Sequence, residues 1–265
     1  LARTILALAV GTGLTIFLAG RAPEERAGAA ERPHLRYTMH SLQSTWGDCG
    51  VEPCITLHVR FPVFLKRHDP ASQDDTLNVF VQETLLGKYD PGGVRPVLDA
   101  VRDSVAAQFR ALPPSAPRHP WTIDRTMTVL GDTLDILTLD VEEFRNTDGA
   151  HPTTMHLLYM LRPESMTVLT LDDIIGPGRR RLLTQLCERE FRSVRKIPPG
   201  ERLSDKGFTF PGNAFTLTMN VGLTGKGILF YYNPYEIAPY DMGPTRIVIG
   251  WSKLQGLLRL STQPR

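Results

Sequence analysis

Residues 121–129 read Trp-Thr-Ile-Asp-Arg-Thr-Met-Thr-Val, and their pattern points to the fold class. Trp121, Ile123, Met127 and Val129 alternate with Thr122, Asp124, Thr126 and Thr128. A period of two marks a strand with one buried and one open face. Gly131-Asp132 then turns the chain into a second strand, Leu134–Phe144. After a break at Asp148-Gly149 comes a third, Thr154–Leu161. Alternating strands in succession predict an antiparallel sheet covered on one face by helices.

The flanks agree. Upstream, Leu35–Leu42 and Ile55–Phe64 read as strands joined at a turn holding Cys49 and Cys54. Ser72 with Asp75 makes a capping box for a helix whose apolar stripe is Leu77, Phe80, Val81, Thr84 and Leu85, ended by Gly87. A second helix starts near Pro96, shows Leu98, Val101, Val105 and Phe109 on one face, and stops at Pro113-Pro114. Downstream, Leu169–Ile175 leads into a helix over 179–194. Strands Phe215–Val221 and Ile228–Tyr232 flank Thr224-Gly225-Lys226-Gly227, then come a short strand Arg246–Ile249 and a closing helix Trp251–Leu260. The class is α+β, with antiparallel sheets and helices packed on one face. Two small subdomains are expected, 34–148 and 149–265.

The chain has 265 residues, 42% hydrophobic and 22% charged, an ordinary composition able to fill a core. A net charge of +2 is too mild for a nucleic-acid surface, so no nucleic-acid partner is expected. Arg3 precedes an apolar run, Ile5–Ala19, and polar residues follow, which is the pattern of an export leader over 1–20. Its rival is a buried core helix. A tether over 21–33 follows, with Ala27-Gly28-Ala29 as a cleavage sequence. An uncleaved leader is the one membrane contact expected. Leu18-Ala19-Gly20 precedes Arg21, which has no thiol to lipidate. Export to an oxidising compartment, periplasm or bacterial cell surface, predicts a Cys49–Cys54 disulfide. The rival, half of a metal site, lacks a second Cys or His pair at zinc-like spacing. Cys187, four residues after Leu183, reads as a small buried hydrophobe.

Catalytic signatures fail in turn: G-x-S-x-G, H-E-x-x-H and the P-loop are all missing from the sequence. Gly222–Gly227 has the composition of a phosphate loop but lies between two strands, so a hairpin turn is expected. The seven histidines form no chelating pair by spacing. No cofactor and no metal are expected. Two segments are unusual: Asp148-Gly149-Ala150-His151-Pro152, and the Pro- and Tyr-rich run from Asn233 to Pro244. Proline lowers a loop's entropy and tyrosine offers a large amphipathic contact. Such a run is either a binding surface or a crossover whose tyrosines cap the core.

The order of Gly149-Ala150-His151-Pro152, Leu171-Asp172-Asp173-Ile174-Ile175 and Phe230-Tyr231-Tyr232-Asn233-Pro234-Tyr235-Glu236-Ile237-Ala238-Pro239-Tyr240 resembles the domain of unknown function 3298. That domain occurs in the extracellular region of a lysozyme-sensing anti-sigma factor and beside the catalytic domain of a peptidoglycan deacetylase. The N-terminal half looks like its partner, domain 4163. The chain departs from the family at Asp148, where a second glycine is usual. Only Leu1–Thr4 precede the apolar run and the sequence ends at Arg265, so neither a sigma-binding segment nor a deacetylase domain is expected. The resemblance implies an envelope module binding a protein (lysozyme-like) or peptidoglycan. The candidate contacts are Tyr235, Glu236, Tyr240, His151 and Asn233. The alternative is a cell-wall hydrolase or a deacetylase-associated accessory protein, with Asp148, His151 and Glu236 around a metal.

Overall fold

The computed structural model describes residues 34–259, apart from 52, 67–68, 70–72, 114, 117 and 148. The expected leader and tether lie outside them. Strands β1 (Arg36–Trp46) and β2 (Ile55–Leu65) form an antiparallel hairpin. Cys49 and Cys54 are bridged across its turn, with Cα atoms 5.0 Å apart. Closing so short a loop stabilises the fold by about 2 kcal/mol in the chain-entropy model.

Helices α1 (Asp75–Leu86) and α2 (Val94–Arg110) follow. The α1 cap is Asp74, whose carboxylate accepts from the Leu77 amide at 3.1 Å. Ser72, the expected cap, lies outside the described residues. Gly87 ends the helix at φ +77, a left-handed conformation that glycine adopts without steric cost. The two helices cross over to β3 (Trp121–Thr133), which pairs with β2 in parallel from Ile55–Trp121 to Arg60–Thr126. A parallel pair needs such a crossover. It is the one departure from antiparallel pairing among the described strands.

Strands β4 (Ile136–Asn146), β5 (Thr153–Arg162) and β6 (Thr167–Leu169) complete a six-stranded sheet in the order β1-β2-β3-β4-β5-β6. The β3–β4 turn falls at Leu134-Asp135, with φ of 59° and 60°, rather than at Gly131-Asp132. The sheet continues from β4 to β5 through the hairpin that holds the expected boundary at 148/149. Arg145 pairs with Thr153 and Leu137 with Leu161 on either side of it.

The alternation of β4 and β5 sends side chains to two different cores. On the helix side, Ile55, Leu57, Ile123, Met127, Leu137 and Leu139 pack against Leu77, Val81, Leu98 and Phe109. On the other side, Ile136 and Met160 join the C-terminal elements. These are α3 (Leu171–Ile174), α4 (Arg180–Val194) and the antiparallel sheet β7 (Val221–Thr224), β8 (Gly227–Tyr232) and β9 (Thr245–Gly250). Leu183, Cys187 and Phe191 form the buried stripe of α4, and Phe191 lies among Phe208, Phe210 and Phe215. The strand expected over 215–221 begins only at Val221, because Phe215 turns into this aromatic cluster. The closing helix is a single 3-10 turn, Trp251–Leu254, followed by Gly256 at φ +71.

The second sheet docks through missing side chains. A Cβ on Gly131 would lie 2.8 Å from the Leu223 carbonyl oxygen, and one on Gly222 would lie 2.6 Å from Thr138 Cγ2. Fully buried Thr138 accepts a hydrogen bond from the Leu223 amide at 3.1 Å. Further along the same face Ser41, Gln43 and Arg60 are exposed, and Thr122, Asp124 and Thr126 half-buried. Among the described residues no helix is long and apolar enough to cross a membrane.

Candidate ligand-binding site

The two unusual segments meet. In Asn233-Pro234-Tyr235-Glu236 the Glu236 amide donates to the Asn233 carbonyl at 3.1 Å, proline occupies the second place, and the third residue, Tyr235, has φ +66. That is the pattern of a type II turn, whose third place belongs to glycine or asparagine. A Cβ there costs roughly 1–2 kcal/mol. The Tyr235 residue is also 62% exposed. A large aromatic side chain is therefore held in water on a backbone that disfavours it.

Its neighbours explain how. The Tyr240 ring lies 5.5 Å from Tyr235, tilted by 31°. On Tyr240 the His151 ring stacks at 4.9 Å, inclined by 5°. The Tyr240 hydroxyl donates to the Pro152 carbonyl at 2.8 Å. Tyr235, Tyr240 and His151 thus form one ladder of rings, each contact adding ~0.5–1.5 kcal/mol beyond area burial.

The loop beneath is fastened at several points. Strand β6 pairs with β5 only at 160–162, so the edge of β5 before it has no strand neighbour there. Side-chain amides take its place. Asn233 Oδ1 accepts from the His156 amide at 2.7 Å and Asn233 Nδ2 donates to the His156 carbonyl at 2.9 Å. Asn220 Oδ1 accepts from the Leu158 amide, and its Nδ2 donates to the His156 carbonyl, both at 2.8 Å. At the far end Arg195 donates to the carbonyls of Met242, Gly243 and Pro244. In the middle Ile237 is buried and its carbonyl accepts from the Thr209 amide.

The expected candidates therefore divide. Tyr235, Tyr240 and His151 come together at the surface. Asn233 is only 7% exposed, with its amide engaged on β5, so it is a fastener rather than a ligand contact. Glu236 is exposed, but one of its oxygens accepts from the Asn233 amide at 2.8 Å.

Two histidine clusters escape sequence spacing because they cross strands. His156 Nδ1 lies 3.0 Å from both oxygens of Asp140, Nε2 is 3.9 Å from Glu142, and the ring packs 4.5 Å from Tyr231. The hydrogen bond to Asp140 raises the His156 pKa, outweighing the opposite pulls of burial and Arg246. On the open polar face Ser41 Oγ is 2.6 Å from His58 Nε2, and His58 Nδ1 is 4.0 Å from Asp124. The order serine–histidine–aspartate is that of a hydrolase. However, 4.0 Å is beyond a hydrogen bond, and side-chain exposures of 35% and 40% leave the imidazole unoriented and wet. Burial pushes the Cys187 thiol up to about 12, with Glu190 adding to the shift, which removes it as a nucleophile. Among the described residues no three His, Cys, Asp or Glu side chains converge to hold a metal. Asp148, named in the hydrolase alternative, lies outside them.

Comparison with known proteins adds a family. The family described as "Protein of unknown function (DUF3298)" matches residues 172–252, which hold α4 and the whole second sheet. No curated protein matches. Among solved structures, a DUF3298 family member from Bacteroides fragilis superposes with a TM-score of 0.68 at 22% identity, covering 86% of this chain and 94% of its own. A DUF3298 family protein from Pseudomonas aeruginosa gives 0.62 at 19%, covering 88% and 99%. At such identities the likeness is one of fold, and it extends over β1–β6 as well as the matched segment. With Asn233–Tyr240 inside the match, residues 172–252 of this chain constitute a DUF3298 domain.

Proposed function

We propose that this chain is an exported, non-catalytic envelope module that binds a protein or a cell-wall glycan through Tyr235, Tyr240 and His151. The observation that carries the reading is Tyr235, a bulky ring in the glycine place of a type II turn and 62% exposed. Strain of this kind persists where the surrounding structure over-determines it, and it clusters at functional sites. The fastened loop supports the same reading, since a preorganised aromatic surface loses little entropy on binding. The apolar run Ile5–Ala19 and the Cys49–Cys54 bridge support export. Residues 34–148, read as a 4163-like partner domain, belong to the same proposal.

Tyr235→Gly separates binding from structure. Glycine relieves the backbone strain and deletes one ring, so the thermal midpoint stays level or rises. Capture of muropeptides, or of a lysozyme-like protein, weakens about tenfold or more, the effect of losing an aromatic anchor. Unchanged capture of both ligands, or a large loss of stability, would refute the platform. Export is tested by fusing residues 1–40 to a reporter active only outside the cytoplasm.

A further inference from the structure

A cavity of about 270 Å³ opens between α2 and the helix-facing side of the large sheet. Trp121 and Ile123 of β3 line it, 7% and 4% exposed, together with Val101 and Val105 of α2. Two guanidinium groups, Arg125 and the more exposed Arg145, share the rest of the lining with Ser104, Gln108 and Thr147. The cavity is therefore apolar in one part and cationic in another.

The charge there does not cancel. Glu143 stands between the two arginines: its Oε2 accepts from Arg125 Nε at 2.6 Å, and its Oε1 from Arg145 Nε and Nη2 at 3.2 and 2.9 Å. Burial pushes this carboxyl up, but the arginines outweigh burial and hold it below the usual range, so it is ionised at neutral pH. Two guanidinium groups and one carboxylate leave one positive charge beside an apolar surface. Arg125 Nη1 donates to the Leu85 carbonyl at 2.9 Å. Arg125 Nη2 and Arg145 Nη1 make no hydrogen bond among the described residues.

We propose that this cavity binds a small amphipathic monocarboxylate, its apolar tail on Trp121 and Ile123 and its carboxylate on Arg145 and Arg125. One net positive charge matches a monoanion rather than a dianionic phosphate. Guanidinium N–H groups recognise carboxylate geometry, and charge-assisted bonds of this type are about twice as strong as neutral ones. The volume is just below the ~300–1,000 Å³ of ordinary ligand pockets, so the tail is a medium-length chain or one ring, not a membrane lipid. The site uses none of the residues of the aromatic ladder and does not depend on it.

Calorimetric titration of the purified protein with sodium octanoate, 1-octanol and octyl phosphate tests the assignment. Octanoate should bind and saturate. Octanol, which lacks the charge, should bind about tenfold more weakly or not at all, and octyl phosphate should not exceed octanoate. Arg145→Gln, at a half-exposed position, should erase the preference for octanoate. Ser104→Phe, on the exposed rim, should exclude every probe, while Tyr235→Gly should leave octanoate binding intact. Absence of octanoate binding, equal affinity for octanol, or undiminished octanoate binding in either cavity variant would overturn the proposal.

Discussion

Replacing Asn233 by alanine unfastens the aromatic loop from β5 and removes two side-chain hydrogen bonds. The side chain accepts from the His156 amide at 2.7 Å and donates to its carbonyl at 2.9 Å. The carbonyl keeps a second partner in Asn220 Nδ2. The amide is left with none among the described residues. Each lost bond is worth about 1 kcal/mol, and a stranded buried N–H adds roughly 1–3 kcal/mol. The expected loss is therefore about 3–5 kcal/mol, a large part of the ~5–15 kcal/mol that usually separates folded from unfolded chains. Urea denaturation measures it, and hydrogen exchange at the His156 amide reports the local opening. Asn220→Ala should cost less at His156 but should expose the Leu158 amide instead. Because both side chains share one carbonyl, the double variant should be non-additive. A loss below about 0.5 kcal/mol in Asn233→Ala, the range of an ordinary surface substitution, would refute the fastening account.

Two further outcomes follow from the packing. The raised His156 pKa means that the folded state holds that proton more tightly than the unfolded chain. Its stabilisation is complete below the ordinary value of 6.5 and is lost as pH rises through the raised folded value. The stability gap between wild type and Asp140→Asn should thus be widest from about pH 5 to 6, above carboxylate protonation, and narrow in alkaline solution. A gap that grows with pH would contradict the assigned hydrogen bond. Gly222→Val places a branched side chain against Thr138, where even a Cβ would approach Cγ2 to 2.6 Å. The expected cost is ~1–3 kcal/mol by thermal or urea unfolding, restored in part by Thr138→Ser, and no cost would mean that the sheets are not docked there.

Consecutive residues specify the local elements of this chain. The alternation over 121–129, the stripe of Leu77, Val81 and Leu85, the Gly87 stop and the Leu183–Cys187 face all specify their elements, because strand and helix periods are properties of consecutive residues. Segment 233–244 is likewise conspicuous from its prolines and tyrosines. The remaining features arise from contacts between segments far apart in the chain. Parallel pairing of β2 with β3 depends on where α1 and α2 carry the chain, and the β7 strand starts late because Phe215 finds partners in a distant cluster. His151 meets Tyr240, and Asn233 meets His156, across 89 and 77 residues of sequence respectively, a separation at which no spacing rule operates. Tyr235 is readable as aromatic but not as strained, since its φ is set by the turn that Pro234 and the engaged Asn233 impose. The cationic cavity needs Arg125, Glu143 and Arg145 on adjacent strands beneath α2, and only the β3–β4 register, Arg125 opposite Glu143, brings them together. Short-range propensity names the pieces, but a site is made of groups that chain entropy keeps apart until burial and hydrogen bonding hold them in place.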